Sequence, residues 1–173
     1  MAPSDVISTR WPVVAVVDGQ GGGIGGAIIK GLRDHVGEDV EILALGTNAA
    51  ATTAMMRAGA NRGASGENAI ARSVNEADLV VGCATIVMAH AMMGELTPRV
   101  AEAIAGARAE KWLLPFEMPG VELVGAEKKP LPHLIKLLCE SLVSRRDEFN
   151  VHQRSAYGRL QDHGAGEAGG GYV

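Results

Sequence analysis

Apolar and polar positions along the chain alternate between two kinds of block. Val13 to Val17 is an unbroken, mostly β-branched run stopped by Asp18-Gly19, which predicts a strand buried on both faces, as in a parallel sheet. Ile24, Ile28 and Leu32 then recur every four residues and predict a helix over about 24–35, turned by His35 to Asp39. Val40 to Leu45 repeats the strand pattern. It stops at Gly46-Thr47-Asn48, and the alanine-rich stretch to Ala58 contains no breaker, so a second helix follows with Asn48 as its N-cap. Gly59 to Gly63 turns the chain, with room for a very short edge strand, before a helix that points Ile70, Val74 and Ala77 inward. Asp78 to Ala84 is the next buried strand. Thr97-Pro98 starts a helix with a capping hydroxyl and proline at its first position, and Val100, Ala103, Ile104 and Ala107 share its apolar face. Lys111 to Phe116 reads as a strand and Glu117-Met118-Pro119-Gly120 as a tight turn. Val121 to Val124 is expected to return as its antiparallel partner. Leu131, Leu134, Ile135, Leu138 and Leu142 predict the last helix.

Strands alternating with helices predict an α/β protein: a mostly parallel sheet in strand order 3-2-1-4-5, covered by helices on both faces, with the antiparallel hairpin at one edge. Ligands in such sheets bind outside the carboxyl ends of the strands. The domain is expected to span 1–149. From Asn150 the apolar periodicity stops, and 150–173 reads as a glycine-rich, low-complexity tail.

Composition sharpens one point. Glycine numbers 23 in 173 residues, about twice the usual share of roughly 7%. Six of these glycines lie in the first strand-to-helix turn, Asp18-Gly19-Gln20-Gly21-Gly22-Gly23-Ile24-Gly25-Gly26, where Gly21, Gly23 and Gly26 satisfy G-x-G-x-x-G. After a buried strand and before an amphipathic helix, that spacing has a mechanism: the backbone approaches a pyrophosphate, and the free N–H groups and positive helix end stabilise its charge. Close helix-on-strand packing is the other role such glycines serve. A Rossmann-like three-layer α/β/α sandwich with a bound nucleotide is therefore expected.

The turn also fits G-x-x-x-G-I-G, as Gly19, Gly23, Ile24 and Gly25, and Asp78 to Ala84 is similar to the fourth-strand segment of short-chain dehydrogenases. The resemblance covers roughly the first 85 residues and implies a cofactor-binding half. The dehydrogenase Tyr-x-x-x-Lys pair is missing, because neither Tyr157 nor Tyr172 has a lysine four residues later. Over about Val13 to Val143, DGQGGGIG, ALGTN, AGA, GASGENAI and GELTP in that order resemble a family of small bacterial proteins of unknown function. That resemblance implies a fold and no activity.

On this reading the cofactor contacts are Gly19, Gln20, Gly21, Gly22, Gly23 and Ile24, with Thr47 and Asn48 after the second strand and Cys83 and Thr85 after the fourth. Capping its own helix or turn is the simpler role for each polar residue of the set. NAD or NADP is the expected cofactor, with a flavin or mononucleotide as alternatives. A fold selective for NAD usually carries Asp or Glu at the end of the second strand. This chain has Gly46-Thr47-Asn48 there, while Glu41 lies at the opposite end, so NADP is slightly favoured. Asp18 at the mouth of the loop would repel a pyrophosphate; it either caps its own turn or holds Mg²⁺. For catalysis the candidates are His90, Cys83 and Glu95, none of them part of a recognisable triad or zinc spacing. Ser65, Glu67 and Asn68 join the same edge only if the turn before them folds back.

Sixteen basic and 20 acidic residues give a net charge of −4, which offers no field for nucleic acid. Two isolated cysteines, no apolar span and no export signal at 1–12 lead us to expect a cytoplasmic protein with a small-molecule nucleotide as partner, no membrane association and a homo-oligomeric state.

Overall fold

The computed structural model describes residues 12–145; the low-complexity tail and the residues before Pro12 lie outside them. Five strands, β1 (Val13–Asp18), β2 (Glu41–Gly46), β3 (Arg62–Ser65), β4 (Leu79–Cys83) and β5 (Glu110–Leu114), form one sheet in the order β3-β2-β1-β4-β5, every pairing parallel. The connections carry α1 (Gly23–Val36), α2 (Ala49–Arg57), α3 (Glu67–Ser73) and α4 (Pro98–Gly106), and α5 (Leu131–Ser144) follows β5.

The period of two along each strand sorts side chains into two cores. Val14 and Val16 of β1, with Ile42, Ala44, Leu79 and Val81, pack under α1, α2 and α5 through Ile28, Leu32, Met55, Ile135 and Leu138. Val13, Ala15 and Val17, with Leu43, Leu45 and Val80, face Ile70, Val74, Val100 and Ile104 on the opposite side. That double burial explains why β1 shows no polar alternation: every one of its six residues is buried. Asn48 caps α2 by accepting the Ala51 N–H at 2.9 Å, and Thr97 caps α4 by accepting the Val100 N–H at 3.2 Å, as their positions before these helices predict.

One expectation fails. Residues 115–130 contain no strand, and the antiparallel hairpin does not form. Pro115, immediately after β5, has no N–H to donate. Beyond it the backbone makes two tight turns, Val121 N–H to Met118 O at 3.1 Å and Ala126 N–H to Leu123 O at 3.0 Å, around Gly120 and Gly125, whose φ angles are +74° and +87°. The segment that reads as an apolar strand is left in solvent, with Val124 fully exposed.

Candidate functional site

Strand order reverses between β1 and β4, so the loops leaving their carboxyl ends diverge and open a crevice. A cleft of about 840 Å³ lies there, bounded by the β1–α1 turn, the end of β4, the segment 88–93 and the turn after β5. Asp18, Gln20, Ile24, Cys83, Thr85 and His90 line it together. Glu117, Met118 and Pro119 close its far wall, a contribution hidden in the sequence by the expected hairpin. Among the described residues that line it there is no Lys or Arg.

The β1–α1 turn explains itself glycine by glycine. A Cβ on Gly19 would lie 2.7 Å from Met92 Sδ and 2.8 Å from Thr47 Oγ1; on Gly25 it would lie 2.5 Å from Met55 Sδ and 2.8 Å from the Asp18 Cβ. Gly22 caps α1 in a left-handed conformation, φ +70°, with the Ala51 backbone oxygen 2.6 Å from where its Cβ would be. These three are fixed by packing. Gly21 and Gly23 are different: both are exposed, neither has a positive φ, and a Cβ on either would meet nothing within 4 Å. Nothing inside the described protein requires glycine at those two positions.

Asp18 acts as a cap. Its Oδ1 accepts the Gly19 N–H at 2.8 Å and its Oδ2 the Gly25 N–H at 2.6 Å, so a carboxylate already sits inside the first turn of α1 and complements the helix dipole. Burial pushes its pKa above the ordinary aspartate value; the N–H groups of Gly25, Gly19 and Ile24 oppose that shift and the Glu95 charge adds to it. Both carboxylate oxygens being engaged favours the capping role over metal binding. Among the described residues, no group of three His, Cys, Asp or Glu side chains is arranged to hold a metal ion.

On the other side of Gln20, the segment between β4 and α4 reaches across the sheet. Glu95 Oε2 accepts from the Gln20 N–H at 2.9 Å, Thr47 Oγ1 at 2.5 Å and Asn48 Nδ2 at 2.9 Å. The Thr47 hydroxyl, the Gln20 N–H and the Asn48 amide hold its carboxyl below the ordinary glutamate value, against a smaller effect of burial. Thr47 and Asn48 thus face Glu95, outside the cleft lining. Getting there bends the backbone: His90, Met92 and Met93 have φ of +66°, +54° and +58°, and the turn is closed by His90 N–H to Leu96 O at 2.6 Å.

The three catalytic candidates are not arranged around one reacting position. Cys83 donates its thiol to the Phe116 carbonyl, and burial raises its pKa, which keeps it protonated. Glu95 is held by three donors outside the cleft lining, and His90 is exposed at the cleft rim. Ser65 does reach the carboxyl edge of the sheet, because β3 pairs parallel with β2 and ends beside Gly46. Glu67 there accepts from Thr97 Oγ1 at 2.5 Å and from Arg99 at 3.1 Å, and these bonds tie α3 to α4.

Among the described residues no helix is long and apolar enough to cross a membrane. Comparison with curated proteins finds no match to this chain. The family comparison does find one: across residues 13–147, which include every strand, the glycine turn and the Glu95 segment, the chain belongs to the domain of unknown function DUF3842.

Proposed function

We propose that this protein binds a nucleotide, NAD or NADP foremost, in the crevice between β1 and β4. The observation that carries the reading is the pair Gly21 and Gly23, whose missing side chains relieve no internal contact and leave open backbone at the first turn of α1. A side chain there would stand where a ligand approaches the turn, the constraint that puts glycine in phosphate-binding loops. The sheet order and the cleft volume within the range of ligand sites support it.

A binding or sensing role is favoured over catalysis by this chain alone. The Cys83 thiol is kept protonated and hydrogen-bonded to Phe116, and Glu95 spends one oxygen on three donors. A dehydrogenase reading requires His90, the one candidate at the cleft rim, to act with a substrate or a partner that brings the remaining groups.

Thermal shift with NAD⁺, NADH, NADP⁺, ADP and FMN, each with and without Mg²⁺, tests the reading. Ligand at a hundred times its dissociation constant adds about 2.7 kcal/mol of stability. Gly23→Val is expected to keep the unliganded melting temperature within a few degrees and to abolish the shift. Silence of the whole panel, or an undiminished shift in Gly23→Val, sinks the proposal.

A further inference from the structure

The sequence lacks an acid at the end of β2, where dinucleotide folds read the adenosine ribose. In the folded chain a carboxylate stands there nonetheless, delivered from 47 and 48 residues further along by the β4–α4 segment onto Asn48 and Thr47. Resting on the nucleotide reading above, we infer that Glu95 is the specificity-determining residue for the ribose 2′ position and that the site accepts a free ribose diol and rejects a 2′-phosphate, selecting NAD over NADP.

The chemistry at Glu95 is asymmetric. Oε2 is saturated by the Gln20 N–H, Thr47 Oγ1 and Asn48 Nδ2, which fix the side chain and consume the local donors. Oε1 takes no hydrogen bond from the described residues and remains an acceptor. A carboxylate oxygen can only accept, and a ribose diol offers hydroxyl donors. A 2′-phosphate is an acceptor with its own charge: it would meet a carboxylate held ionised and find the three nearby donors occupied. None of the ion pairs among the described residues involves Glu95, so none of the paired cations described offsets the repulsion there. The neutral Thr47 and Asn48, which taken alone tolerate a 2′-phosphate, act as the holders of the acid that excludes it.

Calorimetric titration of the full chain with NAD⁺ and NADP⁺, in wild type and in Glu95→Gln, tests this. The wild type is expected to bind NAD⁺ at least tenfold more tightly than NADP⁺. Glu95→Gln, which keeps the shape and removes the charge, is expected to shrink that ratio at least fivefold. Thr47→Val, which loosens the same carboxylate, moves the ratio in the same direction and serves if the glutamine variant does not fold. Equal wild-type affinities, or a ratio unchanged in the variants, overturn the inference and leave nucleotide binding standing; so does binding of FMN alone. Binding of no nucleotide in the panel overturns both.

Discussion

The turn between β1 and α1 and the segment between β5 and α5 both contain glycine, and both border the same cleft. They are built in opposite ways. In the first, Gly19, Gly22 and Gly25 let Met92, Ala51 and Met55 come within contact distance, and carboxylates close over the backbone donors. In the second, Gly120 and Gly125 only reverse the chain: a Cβ on either would meet nothing, while Val121, Leu123 and Val124 stand in solvent. Glycine at this sheet edge therefore serves clearance for the protein at some positions and turning at others, and Gly21 and Gly23 serve neither. Only the surroundings of each Cα separate them.

The sharpest way to break that comparison is to add one methyl group. Gly22→Ala puts a Cβ against the Ala51 backbone at a left-handed φ. Left-handed strain of about 1–2 kcal/mol and overpacking of about 1–3 kcal/mol together predict a loss of about 3 kcal/mol in urea unfolding. Gly23→Ala, one residue on and inside α1, is expected to be neutral or to gain roughly 0.5–1 kcal/mol, as alanine does over glycine in a helix. Equal effects at the two sites would erase the distinction on which the nucleotide reading rests.

Next in size is the hydrogen-bonded corner at Glu95. Its folded pKa is depressed, so the stability it contributes is fully present above the ordinary glutamate value of about 4.3 and is lost as pH falls through the folded value. Asp18 runs the other way: its pKa is raised, so ionisation costs stability at neutral pH, and that cost is relieved as pH falls through the folded value. Glu95→Gln is thus expected to lower the urea midpoint at pH 7 and to approach wild type near pH 3. A gap of the same size at both pH values would assign the effect to shape rather than charge.

The smallest effect belongs to the second region. Val124→Lys replaces a fully exposed apolar residue in a stretch that pairs with no strand. A change within about 0.5 kcal/mol is expected; a loss above about 1.5 kcal/mol would mean that this stretch is packed after all.

The contrast also marks where the sequence could be read. Strand order, the helix starts at Asn48 and Thr97, and the inward faces of α1 and α5 follow from period and capping chemistry, which are local. The hairpin expected at Val121 to Val124 fails for the same local reason: four residues of strand-like composition carry no record of whether a neighbour exists to pair with them. The glycine turn was legible as a candidate site, but not which of its glycines pack against the protein. That depends on Met55, Ala51 and Met92, 29 to 73 residues away. Glu95 was legible only as a catalytic candidate, not as a partner of Thr47 and Asn48. Its place beside Thr47 is set by the left-handed turn at His90, Met92 and Met93, a conformation that no composition rule assigns to histidine or methionine.

The buried cap at Asp18 has one more consequence. Because α1 carries its own compensating negative charge, and the described residues that line the cleft include Asp18 and Glu117 but no Lys or Arg, the cleft as described offers an approaching anion no attractive charge. Capture of the proposed anionic ligand would then be unassisted by steering, and would quicken as salt screens the carboxylates. Selection among such ligands would fall to short-range fit, made after the encounter and reflected in how long a molecule stays.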